Sequence, residues 1–312
     1  MASGDILSAI ASQKTLEEVK ERLGNTDDNG GSTSSGSAMG KLNEILKAST
    51  EVINSMPFLN STVSGDNPVS LDVLLTQLLY GTTFEYTKAG TYQLFIPANV
   101  HKIKVTACGA GGGGAGSPTK YARCGGGGGG DAVVDKEYTV TPQTMLTVIV
   151  GNGGLGGTFT SSTEPTNGKD GEATVIGELV TLAGGKGGIC VLATDTSTDT
   201  GGKAGGTGGG KGGNGNLAYN KATDGENGVL GKGGKGSTST YSSSGSGAGG
   251  GGSLGDGGTG GYYENRLSGP DATSGTKGAG GGGAAARDGH MGDNGGNGGD
   301  GYAKITLILD AA

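Results

Sequence analysis

Glycine recurs at every third position over long stretches in the second half of this chain. The longest runs keep this register through residues 225–234, 249–261 and 289–301. A period of three fits neither a β-strand, which repeats every two residues, nor an α-helix, which repeats every 3.6. It is the period of the extended polyproline-II-type helix, which has no internal hydrogen bonds and must bond to neighbours when buried. Because only glycine lets such backbones pack closely, the pattern predicts a bundle of polyglycine-II helices.

Two other glycine-rich structures fit the sequence less well. The chain has 74 Gly in 312 residues but only 7 Pro, whereas collagen needs abundant proline and an unbroken Gly-X-Y register. A disordered linker is the remaining alternative, since glycine loses the most conformational entropy on ordering. A linker, however, has no reason to hold register over several repeats or to lead into a strand, so the ordered bundle is favoured.

Segments that alternate apolar and polar residues precede, interrupt and follow the glycine. These predicted strands are 92–96, 103–107, 132–140, 145–150, 173–176, 179–182 and 302–309. Because the first and last of them flank the glycine, they predict one antiparallel β-sandwich within a domain of residues 84–312. The glycine-rich stretches are then insertions between its strands, mainly at 109–130, 151–171 and 183–301.

Residues 1–80 contain little glycine and show helical patterns instead. Thr15 and Glu18 form a capping box, and Pro68 suits the start of a later, leucine-rich helix. Between them lies a heptad seam of Leu42, Ile45, Ser49, Val52 and Met56. We therefore expect N-terminal helices that attach and oligomerise the chain, and an α+β fold class overall.

Charge and cysteine usage exclude several classes of partner. The net charge is −7 and no basic run occurs, so we expect no nucleic-acid binding. The sequence has neither a signal-peptide pattern nor a long apolar stretch, which predicts a protein made without a secretory signal and not inserted in a membrane. Cys108, Cys124 and Cys190 are an odd set without CxxC spacing, and this favours three free thiols over a disulfide or a metal site.

No motif indicates an enzyme, a cofactor or a metal ion. Residues 151–156 match GxGxxG, but no helix pattern follows, as a dinucleotide site would require. Residues 295–303 fit the calcium-binding nonapeptide only once, whereas that motif binds its ion between stacked repeats. His290 lies between Asp288 and Asp293 without a nucleophile or further ligand group, so a solvated loop is favoured over a catalytic or zinc site.

The segments that join the glycine runs have a composition of their own, rich in Tyr, Ser and Asn. Loops of these residues are typical of recognition surfaces, because tyrosine offers a large contact area at small entropic cost. Tyrosines that merely close the ends of the bundle are an equally good interpretation. The candidate ligand-binding residues are Tyr121, Tyr219, Tyr241, Tyr262, Tyr263, Asn265 and Arg266. Glycines predicted to face neighbouring backbones are Gly228, Gly231, Gly255, Gly258, Gly295 and Gly298.

Several segments resemble a known class of viral protein. Residues 91–97 and 100–114 resemble the start of the glycine-rich domain of bacteriophage tail-fibre and receptor-binding proteins, and residues 298–307 resemble its closing strand. Residues 24–46 are similar to N-terminal segments of phage tail proteins. The same glycine architecture occurs in receptor extracellular domains and insect antifreeze proteins, but these are secreted and disulfide-linked, which the missing signal and odd cysteine count argue against.

The resemblance implies a virion component at the distal tail, made in the host cytoplasm. Its expected partners are other tail or baseplate proteins, bound through the N-terminal region, and a glycan or protein on the host surface. It also implies a homo-oligomer, often a trimer. Two functions stay open on the sequence: a receptor-binding adhesin that uses the loops between glycine helices, or a non-binding structural protein of the tail or baseplate.

Overall fold

The computed structural model describes residues 83–118, 121–159, 164–194, 199–217, 220–238, 244–262, 271–287 and 293–309. The chain divides into two units, Met1–Leu79 and Tyr80–Ala312, and every described residue belongs to the second. The helices predicted within residues 1–80 lie outside the described residues.

The predicted α+β fold class is wrong, because the described residues contain strands and no helix. The physical reason lies in where the helical signal was found. The capping box and the heptad seam both fall within residues 1–80, and in the glycine-rich part a glycine at every third position disfavours helix by about 1 kcal/mol each. The described part of the chain likewise contains no helix that could cross a bilayer.

Thirteen strands make up the regular structure of the described residues. In chain order they are β1 (Thr83–Tyr86), β2 (Gly90–Phe95), β3 (Val100–Cys108), β4 (Ala122–Cys124), β5 (Ala132–Thr139), β6 (Met145–Val150), β7 (Thr174–Ile176), β8 (Val180–Leu182), β9 (Cys190–Leu192), β10 (Asn216–Leu217), β11 (Ser244–Ser246), β12 (Ala286–Arg287) and β13 (Tyr302–Leu309). The seven segments predicted as strands correspond to β2, β3, β5, β6, β7, β8 and β13.

Two antiparallel four-stranded sheets form the base of the domain. One has the order β1-β13-β3-β5 and the other the order β2-β6-β7-β8. The longest pairing joins β3 to β13, with Val105 opposite Ile305. This pairing brings the strand that precedes the glycine next to the strand that ends it, so everything between them is inserted.

The inward-facing side chains of the two sheets form the apolar core. Alternate residues of β3 and β13 are fully buried, including Ile103, Val105, Ile305 and Leu307, and so are the corresponding residues of the other sheet: Leu94, Val148, Val150, Ile176 and Leu182. Strand β13 lies against β6. Two facing antiparallel sheets with this alternation have the arrangement of a β-sandwich.

The glycine-rich insertions run as extended segments away from the sandwich and back. These segments are 109–117, 125–131, 151–159, 166–172, 183–189, 200–206, 208–214, 222–228, 231–237, 247–253, 255–261, 271–277, 279–285 and 293–301. Successive residues of one segment bond to different neighbours. The amide of Gly111 donates to segment 293–301, that of Gly112 to segment 125–131 and that of Gly113 to segment 166–172. The amide of Gly114 again donates to segment 293–301. The hydrogen-bond pattern therefore repeats every three residues, as in polyglycine II.

Some segments are enclosed on all sides. Segment 109–117 donates amide hydrogens to the three segments just named, which run antiparallel to it, and accepts bonds at its carbonyls from 151–159, 183–189 and 279–285, which run parallel. Six backbone neighbours leave little space for side chains, and the segment consists of glycine and alanine up to Ser117, all buried. The interior of this bundle is thus held by backbone hydrogen bonds rather than by an apolar core.

Chain direction alternates from one segment to the next, so the two ends of the bundle differ. At the sandwich end the segments join directly to strands or turn within a few residues, as at Leu254 between 247–253 and 255–261. At the opposite end, called the far end below, described residues such as Ser117, Tyr262 and Arg287 flank longer connections. The small sheets β4-β9 and β10-β11-β12 also lie there.

Candidate functional site

The far end is built on short strands that directly follow or precede glycine segments. Strand β4 pairs with β9 and contacts β10, β11 and β12. Residues of β4, β9 and β12 form a small apolar cluster with Ala115, and Leu192 packs against it. The other cluster members are Ala122, Cys124, Cys190 and Ala286. The described strands at this end therefore have their own small core, separate from that of the sandwich.

Cys124 and Cys190 are joined by a disulfide within that cluster. They lie directly opposite each other in the β4-β9 pair and are almost fully buried. The expectation of three free thiols is therefore wrong for this pair, because the fold brings together cysteines that are 66 positions apart. The odd cysteine count is therefore compatible with a disulfide, because Cys108 is left as the single free thiol.

Cys108 remains a buried thiol at the sandwich end. It lies in a second cluster with Ala132 and Tyr302. Burial raises the pKa of this thiol to about 12. At neutral pH the group is therefore protonated and a poor nucleophile or metal ligand.

Two of the predicted ligand-binding residues fall in the described structure. Tyr121 is half-buried, and its carbonyl accepts a hydrogen bond of 2.8 Å from the amide of Ala193. Tyr262 follows segment 255–261 and is 38% exposed. The other predicted residues lie outside the described part of the chain: Tyr219, Tyr241, Tyr263, Asn265 and Arg266. The structure accordingly places Tyr121 and Tyr262 at far-end connections but does not show the seven side chains as one cluster.

The six glycines singled out in the sequence each face the backbone of a neighbouring segment. A Cβ on Gly231, Gly255 or Gly258 would overlap the main chain of residues 255, 276 or 273, respectively. The same holds for Gly228 against Ser253, Gly295 against Gly114 and Gly298 against Gly111. Their amides all donate to neighbouring carbonyls, for example Gly298 to Gly154 at 2.8 Å. Any side chain at these positions would force two segments apart.

Polar side chains accept hydrogen bonds from the amides that no neighbouring segment reaches, a role that was not predicted from the sequence. Asp300, Asn297 and Asn294 accept hydrogen bonds of 2.7–2.9 Å from the amides of Gly153, Gly156 and Phe159. Donors and acceptors are both three residues apart, so the side chains form a ladder along segment 151–159. Each such side-chain-to-amide hydrogen bond is called a rung below. Three further pairs of rungs have the same three-residue spacing. The side chains of Glu226 and Thr223 accept from the amides of Lys211 and Asn214, those of Asn227 and Asp224 from Gly233 and Gly236, and those of Thr276 and Thr273 from Asp256 and Thr259.

These rungs follow from the requirement that backbone donors be satisfied at the surface of the bundle. Their sequence signal is an Asn, Asp or Thr that recurs every third residue, as in Asn294, Asn297 and Asp300. Asp224 shows the electrostatic consequence. Its hydrogen bond with Lys235, supported by the amide of Gly236 and by Lys221, lowers the pKa of its carboxyl to about 2.

One acidic side chain near the far end is buried. Asp293 is 3% exposed, and its Oδ2 has no hydrogen-bond partner within the described structure. The Oγ of Ser117 forms two hydrogen bonds with the main chain of Asp293: it donates to the Asp293 carbonyl and accepts from the Asp293 amide. Burial, together with the neighbouring carboxylate of Asp271, raises the pKa of Asp293 to about 7. The described residues include no group of three or more His, Cys, Asp or Glu side chains suited to a metal ion.

Comparison with known proteins identifies the type of domain. The family model described as a glycine-rich domain matches residues 87–307. This range runs from just after β1 into β13 and includes every glycine segment. No curated protein matches the chain.

Proposed function

The chain belongs to the family of glycine-rich domains, and from that premise we propose that it is a bacteriophage tail-fibre or tail-tip receptor-binding protein. In this proposal its far end adsorbs to a ligand on the surface of the host cell. The observation that carries it is the alternation of the glycine segments. Because consecutive segments of the chain run in opposite directions, the longer connections begin and end at the same end of the bundle, away from the sandwich.

The architecture suits a recognition tip for a physical reason. The enclosed segments have almost no side chains with which to discriminate ligands, so specificity has to come from the residues between segments. A threefold extended helix rises about 3.1 Å per residue, so that a segment such as 109–117 projects its end by roughly 25 Å. The small far-end core and its disulfide would fix the short strands that flank the connections at the end of this projection.

The residues proposed to contact the host ligand are those of the far-end connections. Tyr262 is exposed where segment 255–261 ends. With Tyr121, Tyr219, Tyr241, Tyr263, Asn265 and Arg266 it would supply aromatic faces for sugar rings or apolar side chains, and polar groups for hydroxyls and carboxylates. Residues 1–80 are proposed to bind other tail or baseplate proteins and to form a homo-oligomer, for which a trimer is expected.

A cell-binding assay with the full-length protein tests the proposal. Fluorescently labelled protein should adsorb to cells of the bacterium that the phage infects. The triple variant Tyr262→Ala, Tyr263→Ala, Arg266→Ala should lose adsorption while keeping its circular dichroism spectrum and melting temperature. Leu230→Ser is the matched surface control, because this leucine is 64% exposed and lies in the turn between segments 222–228 and 231–237 at the sandwich end.

Two outcomes would contradict the proposal. Unchanged adsorption by the folded triple variant would remove these loop residues from the contact with the host. Failure of the unaltered protein to adsorb, while labelled antibodies still detect it in virions, would favour the non-binding structural role in the tail or baseplate. Sedimentation equilibrium of the full-length chain measures the oligomeric state independently of either result.

A further inference from the structure

A groove of ≈ 490 Å³ runs along the side of the bundle between segments 151–159, 166–172 and 293–301. Its lining residues Asn152, Glu172 and Asp300 each lie two positions from a strand, namely β6, β7 and β13. The groove is therefore at the sandwich end, opposite the far-end connections. It is built only from described residues.

The polar side chains of the groove are held in place by the backbone around them. Glu172 Oε2 accepts hydrogen bonds from the amide of Asn152 at 3.1 Å and from its Nδ2 at 2.8 Å. Asp300 Oδ1 accepts from Gly153 at 2.9 Å, and Asn297 Oδ1 accepts from Gly156 at 2.8 Å. Each of these side chains thus uses one of its two terminal atoms to bond to the protein. The second terminal atom can bond to a ligand, and these atoms are Glu172 Oε1, Asp300 Oδ2 and Asn297 Nδ2.

This anchoring makes the groove a pre-organised set of two acceptors and one donor. Side chains that are already fixed lose little rotamer freedom when a ligand binds, so that more of each new hydrogen bond contributes to affinity. Leu155 adds an apolar surface to the groove, since it lines the groove and is 65% exposed. A matching ligand carries hydroxyl groups, which both donate and accept, next to an apolar face.

The charges of the groove select among such ligands. The carboxylate of Asp170 is paired with the ammonium group of Lys186 at 2.8 Å. The remaining charged side chains that line the groove are two carboxylates, those of Glu172 and Asp300, and one ammonium group, that of Lys169. Negative charge therefore predominates, and an anionic ligand would be repelled.

We propose that this groove is a binding site for a neutral oligosaccharide. The volume accommodates a short saccharide, with its hydroxyls on Glu172, Asp300 and Asn297 and the C–H face of a ring on Leu155. The site is separate from the proposed host-contact surface at the far end, so experiments can disprove one of the two binding proposals and leave the other standing. Because no aromatic ring lines it, we expect affinity in the millimolar range, as is usual for a few hydrogen bonds and one apolar contact.

Titration of the full-length protein followed by NMR tests this site. Chitotriose and maltotriose serve as neutral probes and sialyllactose as the anionic one. At least one neutral probe should shift the amide signals of Gly153, Gly154 and Gly156, and sialyllactose should not. Asp300→Asn keeps an oxygen acceptor for the amide of Gly153 but replaces the second carboxylate oxygen, Oδ2, with an amide donor. This variant should bind the neutral probe about tenfold more weakly.

Leu155→Ser and Leu230→Ser form a matched pair, because the two leucines are 65% and 64% exposed and only Leu155 lines the groove. The first should weaken binding of the neutral probe and the second should leave it unchanged. The proposal is overturned if neither neutral trisaccharide shifts the groove amides at millimolar concentration, if sialyllactose binds more tightly than both, or if Leu155→Ser binds as well as Leu230→Ser.

Discussion

Cys124 lies directly opposite Cys190 on the paired strands β4 and β9, and a disulfide joins them inside the small apolar cluster of the far end. Each strand has only three residues. A pair this short is marginal on its own, because few cross-strand contacts offset the entropy of ordering it. The covalent link is therefore a main source of stability for the end of the molecule that carries the connecting segments.

Reduction of this disulfide should destabilise the domain. The bond closes a loop of 66 residues, for which the chain-entropy estimate is about 4 kcal/mol as an upper value. Urea unfolding should give a lower free energy for the wild type with dithiothreitol than without, and no such difference for the Cys124→Ser, Cys190→Ser double variant. Cys108→Ser is the control and should respond to reductant like the wild type.

Counting thiols checks the same assignment without relying on stability. Protein unfolded without reductant should expose a single reactive thiol, that of Cys108, and all 3 cysteines should react after reduction. Detection of three thiols in protein purified without reductant, together with equal unfolding free energies in both buffers, would contradict the disulfide.

The pairing of these cysteines shows why the sequence alone could not predict the far end. Segments 125–131 and 183–189 run antiparallel, with the amide of Gly125 donating to Ile189 and that of Gly128 donating to Lys186. Continuing this register by one residue places 124 opposite 190. The glycine period predicts that segments pair, but it is nearly the same in all of them and cannot tell which are neighbours.

Longer elements were predictable because their side chains differ on two faces. The alternation of Ala303, Ile305 and Leu307 with Lys304 is enough to identify β13 and its buried face. Strands β10 and β12 have two residues each and show no such alternation, since the neighbouring segments alone determine their conformation. The rungs of Asn and Asp carry a three-residue signal, but the amides that they reach depend on the same unknown pairing.

Gly231 and Lys232 provide a test of the backbone packing with the same substitution at neighbouring positions. A Cβ on Gly231 would overlap the main chain of Gly255, whereas Lys232 is exposed. Gly231→Ala should destabilise the domain by about 1–3 kcal/mol through overpacking, and Lys232→Ala should change it by less than about 0.5 kcal/mol. Chemical unfolding of both variants measures the difference, and equal effects would mean that the two segments are not in close contact.

Asn297 tests the side-chain ladder. Asn297→Ala leaves the amide of Gly156 without its acceptor, which should cost about 1 kcal/mol and speed the exchange of that amide hydrogen. Asn297→Asp retains an oxygen acceptor and should protect Gly156 as the wild type does. Hydrogen exchange measured by NMR separates the two variants, and slow exchange of Gly156 in the alanine variant would show that the rung is not needed.

Asp293 makes stability depend on pH in the neutral range. Burial and the charge of Asp271 raise the pKa of its carboxyl from 3.8 to about 7 in the folded protein. The folded state holds this proton more tightly than the unfolded state. Protonation of Asp293 therefore contributes to the free energy of unfolding in full below about pH 4, and this contribution is lost as the pH rises through 7. Asp293→Asn keeps the shape but cannot ionise, so the variant should be more stable than the wild type above pH 7. Urea unfolding of both proteins between pH 5 and 8, in steps of about half a unit, follows this difference. Parallel curves over that range would mean that the carboxyl of Asp293 does not change its protonation there.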